Sequence, residues 1–291
     1  MGLFLAARLY RAGRAIGLLD YRPERAQRLH EIILRAGHQS HHATITTDTN
    51  PAIVATYPYI LICVKAHATP HVAQALTPHV RSDACVLTLQ NGLGNKEALA
   101  CLPCINNLRI GITSYGAYLE DEKTVRSTGG GKILIGSSQH DTVGLSWQDM
   151  FHRAHLQVEL VNNVDAMLWK KLILNAALNP VTALFGLRNG ELLTHPAAWQ
   201  TSMAILQESV AVARSLGLNM NDDELQQELL NICQATRENR SSMLVDIQAG
   251  RTTEIEAING AIIRAAAKNN LSTPHNKTIM EAVLAQQSRT V

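Results

Sequence analysis

The sequence predicts an α/β fold: a doubly wound parallel sheet over residues 1–163, followed by an all-α C-terminal domain over 164–291. Three observations predict it. Short apolar runs alternate with helical patterns through the first half. The alternation stops near Asn162-Asn163. From Asp165 onward nearly every segment carries helical periodicity. At 291 residues the chain has room for two such units.

Each element follows from local signals. Gly2 to Ala12 reads as a short helix stopped by Gly13, and Ala15 to Asp20 as an apolar strand. Pro23 to Ala36 has the Pro start and Gly37 stop of a helix. Ala43 to Thr47 is a small strand. Tyr59 to Val64 is a continuous apolar run that needs cover on both faces, as is Ala84 to Leu89, with His67 to Leu76 helical between them. A short helix over Asn95 to Leu99 precedes strands at Leu108 to Tyr118 and Gly131 to Ile135. Then come a helix at Thr142 to Ala154 and a last strand at Leu156 to Val161. The second domain continues from the helix containing Trp169 to Pro180 through Ala197–Leu216, Asp222–Ala235, Arg237–Ile247, Glu254–Asn269 and Pro274–Gln287.

Composition narrows the function classes. The apolar fraction of 46% supplies two cores, and with aromatics at 4% these must be built from Leu, Ile, Val and Ala. A net charge of +2 is too mild to argue for nucleic acid or an anionic membrane surface. No apolar run approaches membrane-spanning length. Ala6 stands where myristoylation wants Ser or Thr, and Arg8 interrupts the opening apolar stretch too early for a signal peptide. Five cysteines without a secretory signal fit a reducing compartment, and a cytoplasmic location is expected. Cys101 and Cys104 have redox-type spacing, but no second pair completes a metal site. His41-His42 and His67/His71 lack a third ligand nearby, so no metal is expected.

Chemistry concentrates at Lys171, Asn175 and Asn179. Their i, i+4, i+8 spacing stacks them on one face of a helix whose other residues, Leu168, Leu172, Ile173, Ala176 and Ala177, are apolar. Polar groups on such a helix need partners, and a ligand in a cleft supplies them. The plain alternative is a solvent-facing stripe. Asn91, in Gln90-Asn91-Gly92-Leu93-Gly94-Asn95, lies past the carboxyl end of a strand, where open parallel sheets bind ligands. Gly92 and Gly94 would let backbone approach a ligand, unless they serve only the turn. Lys65 ends another strand, where a cation meets a phosphate or a substrate carboxylate, or simply water. Thr252 or Thr253 reads as the cap of the helix that Glu254 opens; a first-turn carboxylate there already gains from the helix dipole.

Taken in order, these segments resemble the ketopantoate reductase (2-dehydropantoate 2-reductase) family. The series runs Leu89-Gln90-Asn91-Gly92-Leu93-Gly94, Leu168-Trp169-Lys170-Lys171-Leu172 with Asn175 and Asn179-Pro180, and Asn189-Gly190-Glu191-Leu192. It continues with Ser241-Ser242-Met243-Leu244-Val245-Asp246 and closes on Thr253-Glu254-Ile255-Glu256-Ala257-Ile258-Asn259-Gly260. An ordered series is far more specific than any single Gly-rich match.

The resemblance implies a Rossmann-like dinucleotide-binding domain over 1–163 and a helical substrate and dimerisation domain over 164–291, the chain pairing as a homodimer. It implies NADPH-dependent reduction of ketopantoate to pantoate in pantothenate biosynthesis. Lys171 would be the general acid, its pKa lowered by burial and by cationic Lys170 or Lys65. Asn91, Asn175, Asn179, Ser242 and Glu254 would hold the substrate, with Glu254 accepting from its terminal hydroxyl. Leu187, Phe185 and Met243 would help shape the pocket. Gly2, Arg22, Lys65 and Asn91 would serve the cofactor. Asp20 could accept the ribose hydroxyls of NAD, whereas Arg22 and Arg25 suit the 2′-phosphate of NADP, which is the expectation here, NAD remaining open. In the family an apolar strand and a G-x-G-x-x-G turn precede the first helix. Here Gly2 lines up with the last glycine of that turn, and an internal methionine start is the expected reason. The alternatives are a reductase of another branched 2-keto acid and a truncated, non-catalytic homologue that no longer binds dinucleotide.

Overall fold

The computed structural model describes residues 1–290. Contacts divide the chain into two compact units. The first comprises Met1–Gln90 and Asn95–Val164; the second comprises Asn91–Gly94 and the chain from Asp165 onward.

The first unit is α/β. Its chain order is α1 (Gly2–Arg11), β1 (Gly17–Leu19), α2 (Pro23–Arg28), β2 (Glu31–Ala36), β3 (Gln39–Thr44), β4 (Thr46–Asp48), β5 (Tyr59–Ile62) and α3 (Thr69–Leu76). There follow β6 (Cys85–Thr88), α4 (Asn95–Leu99), β7 (Leu108–Thr113), β8 (Ala117–Leu119), β9 (Thr124–Ser127), β10 (Ile133–Gly136), α5 (Thr142–Arg153) and β11 (Val158–Val161). A five-stranded sheet has the order β11-β10-β7-β6-β5. Its strands are parallel except where β10 meets β7. β1 and β4 form a separate parallel pair. This is the Rossmann-like pattern, with one antiparallel junction.

A further sheet, β3-β2-β9-β8, was not anticipated. The helix expected over Pro23 to Ala36 stops at Arg28, and its second half is β2. Ile32 and Leu34 are fully buried while Ile33 and Arg35 face the other way, a period of two rather than 3.6. β2 pairs antiparallel with β3 and parallel with β9, so both its edges are satisfied. Gly37, expected to stop a helix, turns the β2–β3 hairpin at φ +59°. The single strand expected over Leu108 to Tyr118 is likewise broken into β7 and β8.

α1 explains why this second sheet exists. Leu3, Phe4, Leu5, Ala6, Ala7 and Leu9 are all buried, so the helix is apolar around most of its circumference and needs cover on more than one side. Phe4 and Leu5 join one core with Ile32 and Leu34 of β2, Ile133 and Ile135 of β10, and Trp147 and Phe151 of α5. On the opposite face, α3 and α4 close a smaller core over Ile60, Ile62 and Val86.

The second unit is helical: α6 (Val164–Phe185), α7 (Pro196–Ser215), α8 (Asp222–Ala235), α9 (Ser242–Gln248), α10 (Ile255–Lys268) and α11 (Pro274–Thr290). α6 is its axis, with Leu172, Ile173, Ala176, Ala177 and Val181 almost fully buried. Burial of each larger apolar side chain contributes roughly 1.5–3 kcal/mol. The helix expected over Arg237 to Ile247 begins only at Ser242. Ser241, in extended conformation, is its N-cap and accepts from the Leu244 N–H at 3.2 Å. Among the described residues no helix is long and apolar enough to cross a membrane.

Candidate active site

α6 presents the Lys171, Asn175 and Asn179 row without a Gly anywhere in its span, and its apolar flanks anchor it in the core. The row is not a solvent stripe. Lys171 and Asn175 are half-buried and Asn179 is buried. Burial pushes the Lys171 amine down to about 8, against an opposing pull from the Glu254 carboxylate. The expected cationic neighbours are not the cause. Lys170 is paired with Glu228 at 2.5 Å, and the charge acting on Lys171 is negative.

Glu254 stands at the N-cap of α10 but does not cap it. The Thr253 hydroxyl, rather than Glu254, accepts from the Ile255 N–H at 3.4 Å, so the expected threonine acts from one residue outside the observed N-cap. The carboxylate is directed elsewhere: Asn91 Nδ2 donates to Glu254 Oε2 at 3.1 Å. A purely dipolar role for Glu254 therefore misses its side-chain contact.

Gly92 makes that contact possible. Its φ is +81°, and a Cβ there would lie 2.5 Å from the Ala257 carbonyl oxygen. The next residue, Leu93, donates its N–H to that same carbonyl at 3.2 Å. At Gly92 the turn closely approaches the backbone of α10. Gly94 sits at φ +94°, a backbone conformation that favours glycine, with open space around its Cβ position.

Ser242 is exposed in the first turn of α9. Its neighbour Ser241 is buried, accepts from Thr182 Oγ1 at 2.9 Å and donates to the Asn179 carbonyl at 3.4 Å. Ser241 therefore ties α9 to the row on α6. Sequence reasoning missed it, although a serine immediately before Ser242-Met243-Leu244 is a helix-start signal. Of the residues expected to shape a pocket, Met243 is buried in the helical core, Leu187 packs against that core, and Phe185 is exposed beside the His195 ring.

The residues expected to serve a cofactor lie at element ends in the first unit, apart from Asn91. Gly2 opens α1, so closely set against the end of β5 that a Cβ would meet Cys63 Cβ at 3.3 Å. Lys65 follows β5 and precedes a short 3₁₀ turn. The loops after β5 and β6 are stitched by Gln90, which donates to the Val64 carbonyl and to Thr69 Oγ1, each at 2.7 Å; the sequence offered no sign of this bridge. At the end of β1, Asp20 accepts from Arg22 Nε at 3.1 Å and Nη2 at 3.2 Å, and from Arg25. Burial raises the Asp20 carboxyl, but these hydrogen bonds outweigh it and hold it below the usual range. Both its oxygens are engaged, while the Arg22 side chain remains 51% exposed. Two guanidinium groups against one carboxylate leave positive charge at this strand end. Residues at this strand end could hold the ribose end of a nicotinamide dinucleotide.

Two family models match this chain: Ketopantoate reductase PanE/ApbA over residues 1–140 and Ketopantoate reductase PanE/ApbA C terminal over residues 163–287. The chain belongs to the ketopantoate reductase family. It is 32% identical over 231 residues to a 2-dehydropantoate 2-reductase of Archaeoglobus fulgidus, covering 78% of this chain and 76% of the relative. A PanE/ApbA family ketopantoate reductase from Ralstonia eutropha superposes with a TM-score of 0.90 at 26% identity, covering 99% and 96% of the two chains. A D-mandelate dehydrogenase, solved with NADH and anilino(oxo)acetate, reaches a TM-score of 0.91 at 22% identity, a likeness of fold alone. Membership of this family makes the chain an oxidoreductase.

Proposed function

We propose that this chain reduces the 2-keto group of ketopantoate to give pantoate, using NADPH, as a step of pantothenate biosynthesis. The observation that carries the reading is the half-buried Lys171 amine, held at a pKa of about 8, under the influence of a Glu254 carboxylate that Asn91 orients. At neutral pH such an amine is still mostly protonated, and it is easily deprotonated, which suits a general acid.

Bound reduced nicotinamide supplies the hydride in such a reaction. The rest falls to this chain. Lys171 Nζ stabilises negative charge on the former keto oxygen and delivers a proton to it. Glu254 accepts from the substrate's terminal hydroxyl, its second role being to keep Lys171 charged. Asn175, Asn179 and Ser242 orient the hydroxyl and carboxylate. Arg22, backed by Arg25, holds the 2′-phosphate. Gly2 brings the first turn of α1 and its backbone N–H groups to the phosphates, with Lys65 as a further cation. Asn91 would serve the cofactor as well as the substrate.

The test is NADPH oxidation with ketopantoate, compared between the wild type and Lys171→Ala. The expected loss of turnover is roughly 100- to 10,000-fold. Near-normal turnover in the variant, or none in the wild type with ketopantoate, overturns the reading.

A further inference from the structure

Pro180 lies inside α6. A proline in a helix interior removes the N–H that would bond the carbonyl four residues back, and its ring crowds that same carbonyl. Here that carbonyl belongs to Ala176, the residue after Asn175. It accepts instead from Asn259 Nδ2, on α10, at 3.4 Å. The next carbonyl along, Ala177, accepts from Ser202 Oγ at 2.8 Å.

Asn259 is fully buried, and its amide orientation is determined from outside. Its Nδ2 also donates to Asn276 Oδ1 at 3.0 Å. Asn276, fully buried as well, donates through Nδ2 to Glu208 Oε2 at 2.9 Å. Glu208 further accepts the N–H groups of His275 and Asn276 at the start of α11. An ionised carboxylate only accepts, so Glu208 orients Asn276, and Asn276 orients Asn259. The remaining oxygen, Asn259 Oδ1, has no hydrogen-bond partner among the described residues. Burying that atom is unfavourable. Against that cost the asparagine makes two directed bonds, one to Asn276 and one to the open carbonyl of α6.

The position of that bond is informative. Lys171 and Ala176 are five residues apart on α6. Glu254 and Asn259 are five residues apart across the start of α10. The Asn259 bond therefore joins the same two segments as the Lys171–Glu254 interaction, five residues further along each. A slide of one helix along the other would break both.

We propose that Asn259 is a positioning residue for Lys171 and Glu254: it occupies the acceptor that Pro180 leaves open and thereby fixes α10 against the substrate-binding stretch of α6. This rests on the reductase reading above, in which Lys171 is the acid.

The test uses the full chain as wild type, Lys171→Ala, Asn259→Leu, Pro180→Ala and the double variant Pro180→Ala/Asn259→Leu. Three quantities are measured: thermal midpoint, kcat and KM for ketopantoate, and the Lys171 pKa from the pH dependence of its acetylation rate in peptide maps. Asn259→Leu should lower kcat by about 10- to 100-fold, the scale of a small misplacement at a reacting centre. It should also lower the Lys171 pKa, because Glu254 no longer sits at fixed range. Restoring the backbone donor in the double variant should recover part of the thermal midpoint, Asn276 Oδ1 still lacking its donor, but neither kcat nor the pKa. A merely structural asparagine predicts recovery of all three.

Wild-type kcat and pKa in Asn259→Leu, or their recovery in the double variant, overturns the proposal. So does failure of the double variant to fold. If the wild type shows no turnover, the reductase reading fails, and the acetylation arm still decides whether Asn259 positions Lys171.

Discussion

Burial holds the Lys171 amine near pKa 8, against 10.5 for an ordinary lysine. Between those values the unfolded chain binds more protons than the folded one, so stability rises with pH across that window. Below about 8 both states are protonated, and the folded state carries the full penalty. Lys171→Met should therefore stabilise the protein at pH 7, by about 1–3 kcal/mol, as read from urea unfolding midpoints. A less stable variant would show that the amine is better solvated than its position indicates. The same pKa sets the rate profile. If the protonated amine is the acid, kcat/KM for reduction is level below pH 8 and declines above it. Glu254 raises that pKa, so Glu254→Gln should move the descending limb to lower pH. An unmoved limb would mean that another group titrates.

At the scale of elements, two adjacent serines separate stability from binding. Ser241 caps α9 and links it to Thr182 and Asn179 on α6, whereas Ser242 is exposed one position later. Ser241→Ala should cost about 0.5–2 kcal/mol, through the lost cap on the Leu244 N–H, measurable as a lower unfolding midpoint. Ser242→Ala should leave the midpoint in place and raise KM for the 2-keto acid. The reverse pattern would exchange their roles. β2 shows why element type is harder to read than element position. Pro23 did open a helix as its sequence signals, but Glu31 to Ala36 holds an apolar cluster that suits either period. Pairing with β3 across the Gly37 turn and with β9, far along the chain, decided for strand.

Over the whole molecule, charge is spread thinly, at +2, so local surplus matters more than the global field. The end of β1 carries such a surplus, with Arg22 and Arg25 around the single Asp20 carboxylate. Arg22→Ala should raise KM for NADPH by about 10- to 100-fold, the weight of a charge-assisted contact, and leave KM for NADH nearly unchanged. Equal loss with both cofactors would place Arg22 in the scaffold rather than at the 2′-phosphate. The second sheet of the first unit is also a whole-molecule outcome. It arises because α1 is apolar on too many sides for one sheet to cover.

The sequence by itself determined what depends on neighbours within a few residues. Helical spacing put Lys171, Asn175 and Asn179 on one face, and apolar runs marked the buried strands. Tertiary structure decided what depends on residues far apart in the chain. It made 31–36 a strand, set Gly92 against the Ala257 carbonyl, turned Glu254 toward Asn91, and brought Asn259 to the carbonyl left open by Pro180. Periodicity reports which face of an element is apolar. Which distant group completes a hydrogen bond or displaces a pKa follows only once the faces have packed.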